Sequence, residues 1–176
     1  VWDTWVLDAA SCDGDGGGLC LIEGTMVQLA DGTQTAIETL VNDQSLASVV
    51  VGNMPDTDTV SQLLSWSQIN PVLSNTTTNL VNKVEYTVDS VIDFNNNLIT
   101  SSKDHLHIIK RSGTWMISKA SDILIGDVFI DKNYNEIQIT SIQELTGSYK
   151  VYKLNVETND TFIANSIITH NAKPMP

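Results

Sequence analysis

Three residues near the two ends of the sequence have side chains that can rearrange the chain's own backbone: Cys20, His170 and Asn171. A cysteine thiolate can attack the carbonyl of the preceding peptide bond, which here joins Leu19 to Cys20, and form a thioester. An asparagine side chain can attack its own backbone carbonyl and release the following residue, which here is Ala172. The neighbouring His170 can move the protons that this cyclisation requires. If the fold brings the two ends together, the sequence predicts that the segment between them excises itself.

The elements that must position these residues have the pattern of an all-β protein. Residues 83–92 and 136–142 alternate polar and apolar side chains, which is typical of half-buried strands. Asp31-Gly32 predicts a tight turn between two extended segments, and Asn95-Asn96-Asn97 predicts another turn. We therefore expect many short strands joined by polar turns, as in a sandwich or barrel-like fold.

Residues 53–80 depart from the β pattern. Within this stretch, residues 58–66 place their apolar side chains at helical spacing, which indicates a short helix. Residues 74–79 consist of Ser, Asn and Thr, and we interpret them as a polar loop. We expect a short, partly helical insertion on the β core.

The two ends differ in composition from the middle of the chain. Residues 13–18 read Asp-Gly-Asp-Gly-Gly-Gly, the composition of a flexible linker. Residues 172–176 contain two prolines, which exclude a helix or a central strand there. We predict a flanking segment over 1–19, a reactive domain over 20–171 and a second flanking segment over 172–176.

Composition excludes several function classes. The chain has a net charge of −12 and a pI near 4.3, which disfavours binding to nucleic acid or to an anionic membrane. It contains no apolar run of the length needed to span a bilayer. Its two cysteines are too few for a disulfide scaffold, and no further Cys or His pair completes a zinc site. We expect neither a metal nor any other cofactor.

Four segments of the chain, taken in order, resemble the sequence blocks of the Hint superfamily, which contains inteins, bacterial intein-like domains and the autoprocessing domain of Hedgehog proteins. These segments are Cys20–Val27 with the Asp31-Gly32 turn after it, Ile99–His105, the stretch from Trp115 through Ala120 and Asp122 to Gly126-Asp127, and residues 151–171. The resemblance covers residues 20–171, the size of a mini-intein without an endonuclease. It implies a horseshoe-shaped, all-β fold and self-catalysed protein splicing.

The resemblance also implies roles at the amino-terminal junction. In this family the histidine of the second block contacts the scissile amide and donates a proton to its nitrogen, and His105 occupies that position. Ser102 stands where threonine is usual and can offer a hydroxyl to the same peptide. In a strand, His107 points to the same side as His105, so either is a candidate. The spacing from Ser102 favours His105, and we expect His107 to be a surface residue.

Three residues depart from the family pattern. Lys153 stands where aspartate is usual, and an inward-pointing lysine would favour the Cys20 thiolate electrostatically. Asp160 stands where histidine is common, and it is either an acid–base partner of the Asn171 step or a turn residue. Ala172 replaces the Cys, Ser or Thr that normally accepts the acyl group. Either it is a substitution that blocks ligation, or the chain resembles bacterial intein-like domains, in which this position varies.

These residues predict a single-turnover self-processing protein that requires no partner, with cleavage at both junctions and inefficient ligation. An external thiol can serve as acyl acceptor. A nucleophilic Cys20 must stay reduced, so we expect a reducing, cytoplasmic setting, although Cys12 is close enough in sequence to form a disulfide that blocks it. Two alternatives remain: a Hedgehog-like thioester domain, against which His170-Asn171 argues, and a non-catalytic β-rich binding module.

Overall fold

The computed structural model describes residues 19–57 and 59–171, and within them the chain is almost entirely β. The elements are β1 (Cys20–Ile22), β2 (Met26–Gln28), β3 (Gln34–Ala36), β4 (Ser45–Val51), α1 (Val60–Leu64), β5 (Ser67–Gln68), β6 (Leu73–Phe94), β7 (Ile99–Ser101), β8 (Leu106–Arg111), β9 (Thr114–Lys119), β10 (Val128–Ile130), β11 (Glu136–Gln138), β12 (Ile142–Val156), β13 (Thr161–Ala164) and β14 (Ile167–His170). Two 3₁₀ turns lie at Ile37–Thr39 and Ala120–Asp122. The all-β prediction is confirmed. Of the predicted flanks, residues 1–18 and 172–176 lie outside the described residues.

The described strands form two antiparallel sheets. One has the order β12-β1-β7-β6-β4, and the long strands β6 and β12 also pair with each other. The other runs β11-β10-β8-β14-β13-β2-β3, with β9 pairing with both β8 and β5. The short β1 is therefore held between β12 and β7, while β14 is held between β8 and β13. These two strands carry the two predicted reaction centres.

The insertion is only partly as expected. Helix α1 lies within the stretch that was predicted to be helical. The interpretation of residues 74–79 as a loop is wrong, because they form the first part of β6 and pair with β4 from Leu73↔Val51 to Asn79↔Ser45. β-branched threonines favour strands, and the inward side chains Thr78 and Leu80 alternate with exposed polar ones.

Both predicted turns are present. Asn95, Asn96 and Asn97 all have left-handed backbones, with φ of 53°, 51° and 73°, a conformation that asparagine tolerates better than most residues. In the other turn, Gly32 has a φ of 89°, and the Asp31 carboxylate accepts a hydrogen bond from the Thr33 N–H at 2.9 Å. These turns fix the register of the strands on either side.

The largest apolar cluster lies behind the strands that carry the candidate residues. Leu21, Phe94, Phe129 and Phe162 are each at most 2% exposed within it. The rings of Phe94 and Phe129 meet edge to face at 5.3 Å, and both contact the imidazole of His107. Packing of this kind leaves little freedom for the strands at its edge.

We expect Phe129→Ala to lower the free energy of unfolding by about 3–5 kcal/mol, because it leaves a cavity in this cluster. Denaturant unfolding of the full chain measures the loss. The matched control is Ile125→Ala, at a side chain that is 61% exposed, which we expect to change stability by less than about 0.5 kcal/mol. Equal effects of the two substitutions would contradict this account of the core.

Candidate active site

Cys20 opens β1 and lies directly opposite Lys153 of β12. Residues opposite each other in an antiparallel pair project from the same face of the sheet, so the two side chains are neighbours. Cys20 has no exposed surface and Lys153 is 5% exposed. Burial lowers the pKa of the Lys153 ammonium. The structure thus places Lys153 beside Cys20, and its role stays a prediction.

Ser102 holds the backbone of Cys20 from both sides. The Cys20 N–H donates to Ser102 Oγ at 3.2 Å, and the Ser102 N–H donates to the Cys20 carbonyl at 2.9 Å. The nitrogen of the Leu19–Cys20 peptide is therefore hydrogen-bonded to the hydroxyl at the position where the resemblance implied one. Leu19 and Ser102 are both buried, so this peptide lies in a dry environment.

His105 lies between the two ends of the domain. Its Nε2 is 2.8 Å from Thr169 Oγ1, on the strand that leads to His170. Burial, and to a lesser degree the nearby His170, lower the pKa of His105 to about 3, while the adjacent Leu19 backbone acts in the opposite direction. The imidazole is therefore neutral at pH 7 and lies against the scissile Leu19–Cys20 peptide.

His107 is not the surface residue that the sequence interpretation expected. It is fully buried because β8 runs through the interior of its sheet, and its ring centroid lies 4.6 Å from that of His105. Its Nε2 lies 3.0 Å from Ser101 Oγ. Burial, followed by the neighbouring His105, holds the pKa of His107 well below its usual range. Of the two histidines, His105 is the one whose pKa responds to the Leu19 backbone.

His170 is the last residue of β14, Asn171 follows it, and both are buried. Burial lowers the pKa of His170 to about 4, and neither of its ring nitrogens has a hydrogen-bond partner among the described residues. The side-chain amide of Asn171 satisfies its hydrogen bonds in one of its two orientations. In that orientation its Nδ2 donates to the Leu154 carbonyl, and its Oδ1 accepts from the Val156 N–H at 3.2 Å. The side chain of the predicted cyclising residue is thus held on β12.

The backbones of Asp160 and Asn171 are hydrogen-bonded to each other. Its carbonyl accepts a hydrogen bond from the Asn171 N–H at 2.6 Å. Asn159 and Asp160 also form a left-handed turn before β13, with φ of 66° and 50°. Asp160 is therefore a turn residue, and its part as acid–base partner of the Asn171 step stays a prediction. Asp160 is buried.

The residues at the amino-terminal junction and those at the carboxy-terminal junction both contact β12. Lys153 faces Cys20, and the next residue of β12, Leu154, binds the Asn171 side chain. His105 is close enough to His170 for that residue to lower its pKa, and it is hydrogen-bonded to Thr169. All seven predicted site residues are buried around these strands: Cys20, Ser102, His105, Lys153, Asp160, His170 and Asn171.

Sequence reasoning missed two hydroxyl groups of the site, those of Ser101 and Thr169. Thr169 is the one polar residue between the apolar pair Ile167-Ile168 and the His-Asn dipeptide. A threonine inside a fully buried strand must find a hydrogen-bond partner, and this signal could have identified it as part of the site. Ser101 adjoins Ser102 and gave no separate signal.

The state of Cys20 differs from the expectation of a free thiol, because Cys20 is disulfide-bonded. The other cysteine of the sequence, Cys12, lies outside the described residues. A disulfide sulfur is not the nucleophile that a thiolate is. Any acyl transfer to Cys20 must therefore begin with reduction.

Within the parts of the chain that the structure describes, no group of three or more His, Cys, Asp or Glu side chains is arranged to hold a metal ion. The same described ranges contain no helix with the length and apolar character needed to cross a membrane.

Several solved structures share this arrangement of strands. The bacterial intein-like domain from Clostridium thermocellum matches with a TM-score of 0.63 and 18% identity, covering 87% of this chain and 99% of that one. The TvoVMA intein matches with a TM-score of 0.66 at 16% identity, covering 88% of this chain and 99% of its own. A DnaB intein from Synechocystis sp. PCC 6803 gives 0.58 and 19%, with coverage of 88% and 99%. This chain has the Hint fold.

No protein-family model and no curated protein sequence matches the chain, and the structural matches above are below 20% identity, so the likeness concerns the fold.

The buried histidines predict that stability falls on mild acidification. The pKa values of His105, His107 and His170 are all lowered on folding, so the unfolded chain binds more protons below its histidine pKa of about 6.5. The contribution of these histidines to the free energy of unfolding is therefore present in full above about pH 6.5 and is lost as the pH falls toward 3 to 4. Each histidine lowers the free energy of unfolding by up to about 1.4 kcal/mol for each pH unit in this range. Urea unfolding at pH 7.5 and pH 5.5 measures the loss.

The control for this prediction is His107→Gln, which removes one of the three groups. It should reduce the difference in unfolding free energy between the two pH values by roughly one third. A stability that is equal or higher at pH 5.5 in the parent chain would contradict the assignment of neutral, buried imidazoles.

Proposed function

We propose that this chain is an intein-type self-processing domain that breaks the peptide bonds on either side of residues 20–171. The observation that carries the proposal is the placement of a neutral, buried His105 against the Leu19–Cys20 peptide and one hydrogen bond away from the strand of His170 and Asn171.

At the amino-terminal junction, the reduced thiolate of Cys20 attacks the Leu19 carbonyl carbon. A carbon–sulfur bond forms, the carbon–nitrogen bond breaks, and the thiol proton ends on the free amine of Cys20. Ser102 Oγ holds the N–H of the peptide that breaks. His105 lies against this peptide as a neutral imidazole and can donate a hydrogen bond to it as the carbonyl is attacked.

At the carboxy-terminal junction, Nδ2 of Asn171 attacks the backbone carbonyl carbon of the same residue. A succinimide forms, and the peptide bond to Ala172 breaks and leaves a free amine. The Asn171 N–H is fixed by the Asp160 carbonyl, so the backbone that must be attacked is held in place. His170 and the Asp160 carboxyl group are the candidates for the proton transfers.

Ala172 provides no hydroxyl or thiol to accept the acyl group from Cys20. We infer that the two cleavages are uncoupled and that the thioester passes to water or to an external thiol. A Hedgehog-like domain would also form the thioester, but its chemistry gives no reason to bury Asn171 and bind its side chain to β12.

The first test separates reduction from acyl transfer. A phosphine reductant, which is a poor acyl acceptor, should reduce Cys20 without releasing the amino-terminal flank quickly. Dithiothreitol should both reduce it and capture the acyl group, and intact mass should then show cleavage between residues 19 and 20 within hours. The Cys12→Ser variant should react with a monothiol acceptor at once, whereas Cys20→Ala should release nothing. Full-length mass that persists for days in dithiothreitol contradicts the proposal.

A second test addresses the carboxy-terminal junction. Asn171→Ala should abolish cleavage before Ala172, while release at Leu19 continues. Asp160→Asn keeps a residue that tolerates the left-handed turn but removes the carboxylate, and we expect it to slow this cleavage at least about tenfold. Mass spectrometry of the released fragments gives both rates. An unchanged rate in Asp160→Asn would assign Asp160 to the turn alone.

A further inference from the structure

We propose that Thr169 is a positioning residue for His105: its hydroxyl selects the imidazole tautomer that faces the Leu19 carbonyl, and it ties the amino-terminal centre to the strand of the carboxy-terminal one. The inference rests on the proposed function and adds a residue to it.

The hydrogen bond between Thr169 and His105 is short and buried from solvent. Thr169 Oγ1 lies 2.8 Å from His105 Nε2, across 64 positions of sequence, and both side chains are at most 1% exposed. A buried polar pair of this kind has no water to replace a missing partner, and leaving one group unsatisfied costs about 1–3 kcal/mol. The hydroxyl therefore constrains the imidazole strongly.

The remaining nitrogen of His105 faces the scissile peptide. Burial lowers the pKa of His105, and the Leu19 backbone acts in the opposite direction and raises it. A backbone group that raises the pKa of an imidazole accepts a hydrogen bond from it. The only backbone acceptor of Leu19 is its carbonyl. Since Nε2 is engaged by Thr169, the atom on this side is Nδ1, which has no hydrogen-bond partner among the described residues.

These two contacts define a tautomer. A neutral imidazole has one N–H donor and one acceptor nitrogen. If the Thr169 hydroxyl donates to Nε2, the hydrogen resides on Nδ1 and points toward the Leu19 carbonyl. That is the oxygen on which negative charge develops when Cys20 attacks, and a donor aimed there lowers the barrier. Thr169 acts through His105 and touches neither reacting atom.

The position of Thr169 in the fold links the two centres. Thr169 immediately precedes His170, and its backbone is in register with His107 of β8. The orientation of His105 therefore depends on β14 lying in place, which is the same condition that buries His170 and Asn171. An amino-terminal centre built this way is competent only when the carboxy-terminal strand has docked.

The experiment compares Thr169→Val with Thr169→Ser in the full chain. Valine keeps the shape and removes the hydroxyl, whereas serine keeps the hydroxyl. We expect valine to slow dithiothreitol-induced cleavage after Leu19 by about 10- to 100-fold and to shift its pH profile, and we expect serine to restore most of the rate. Cleavage before Ala172 should change less than about threefold in both variants.

The matched control is Thr161→Val. Thr161 is also fully buried, on the neighbouring β13, and its hydroxyl bonds to Ser48 Oγ and to the Val49 backbone. It should lose comparable stability but leave cleavage after Leu19 within about threefold of the parent. A parent-like rate in Thr169→Val, equal slowing in the valine and serine variants, or equal slowing in Thr161→Val would each overturn the proposal.

A second readout does not depend on cleavage. In the unreactive Cys20→Ala background, ¹⁵N chemical shifts of the His105 ring should report a hydrogen on Nδ1, and Thr169→Val should shift the tautomer balance. If the parent chain never cleaves but this shift occurs, the proposed function fails while the role of Thr169 stands. A hydrogen found on Nε2 in the Cys20→Ala protein contradicts the role of Thr169 directly.

Discussion

The antiparallel pairing of β1 with β12 and of β14 with β8 is the constraint on which the site depends. The first pairing places Cys20 opposite Lys153, and the second places Thr169 and His170 beside the two histidines of the β8 region. Neither β1 nor β14 exceeds four residues, so each is held in place by its neighbours and by the apolar cluster behind it. Two ends that are far apart in sequence thereby lie on either side of His105.

Burial determines the chemistry available at this meeting point. Three imidazoles in a dry environment are neutral at pH 7, and the lowered pKa values follow mainly from the loss of water around them. A neutral imidazole can donate one hydrogen bond and accept another, so His105 can bind Thr169 and the scissile peptide at the same time. The disulfide at Cys20 adds a condition, because the nucleophile exists only after reduction.

The sequence could identify the fold class and the residues with reactive side chains, because Cys20, His105 and His170-Asn171 combine chemistry with spacing. It could not reveal that residues 74–79 form a strand, since a run of Ser, Asn and Thr suits a loop or an exposed strand equally well until its partner β4 is known. The burial of His107 and the hydroxyl of Thr169 depend on contacts between segments tens of residues apart, which local patterns do not encode.

The most direct test of the central claim is a high-resolution crystal structure of the unreacted chain carrying Cys20→Ala and Asn171→Ala, with both flanks in place. We predict that one ring nitrogen of His105 lies within hydrogen-bond reach, about 3 Å, of the Leu19–residue 20 peptide, and that the other binds Thr169. A His105 ring separated from that peptide by a layer of water, with residue 171 on a different face of the molecule, would contradict it.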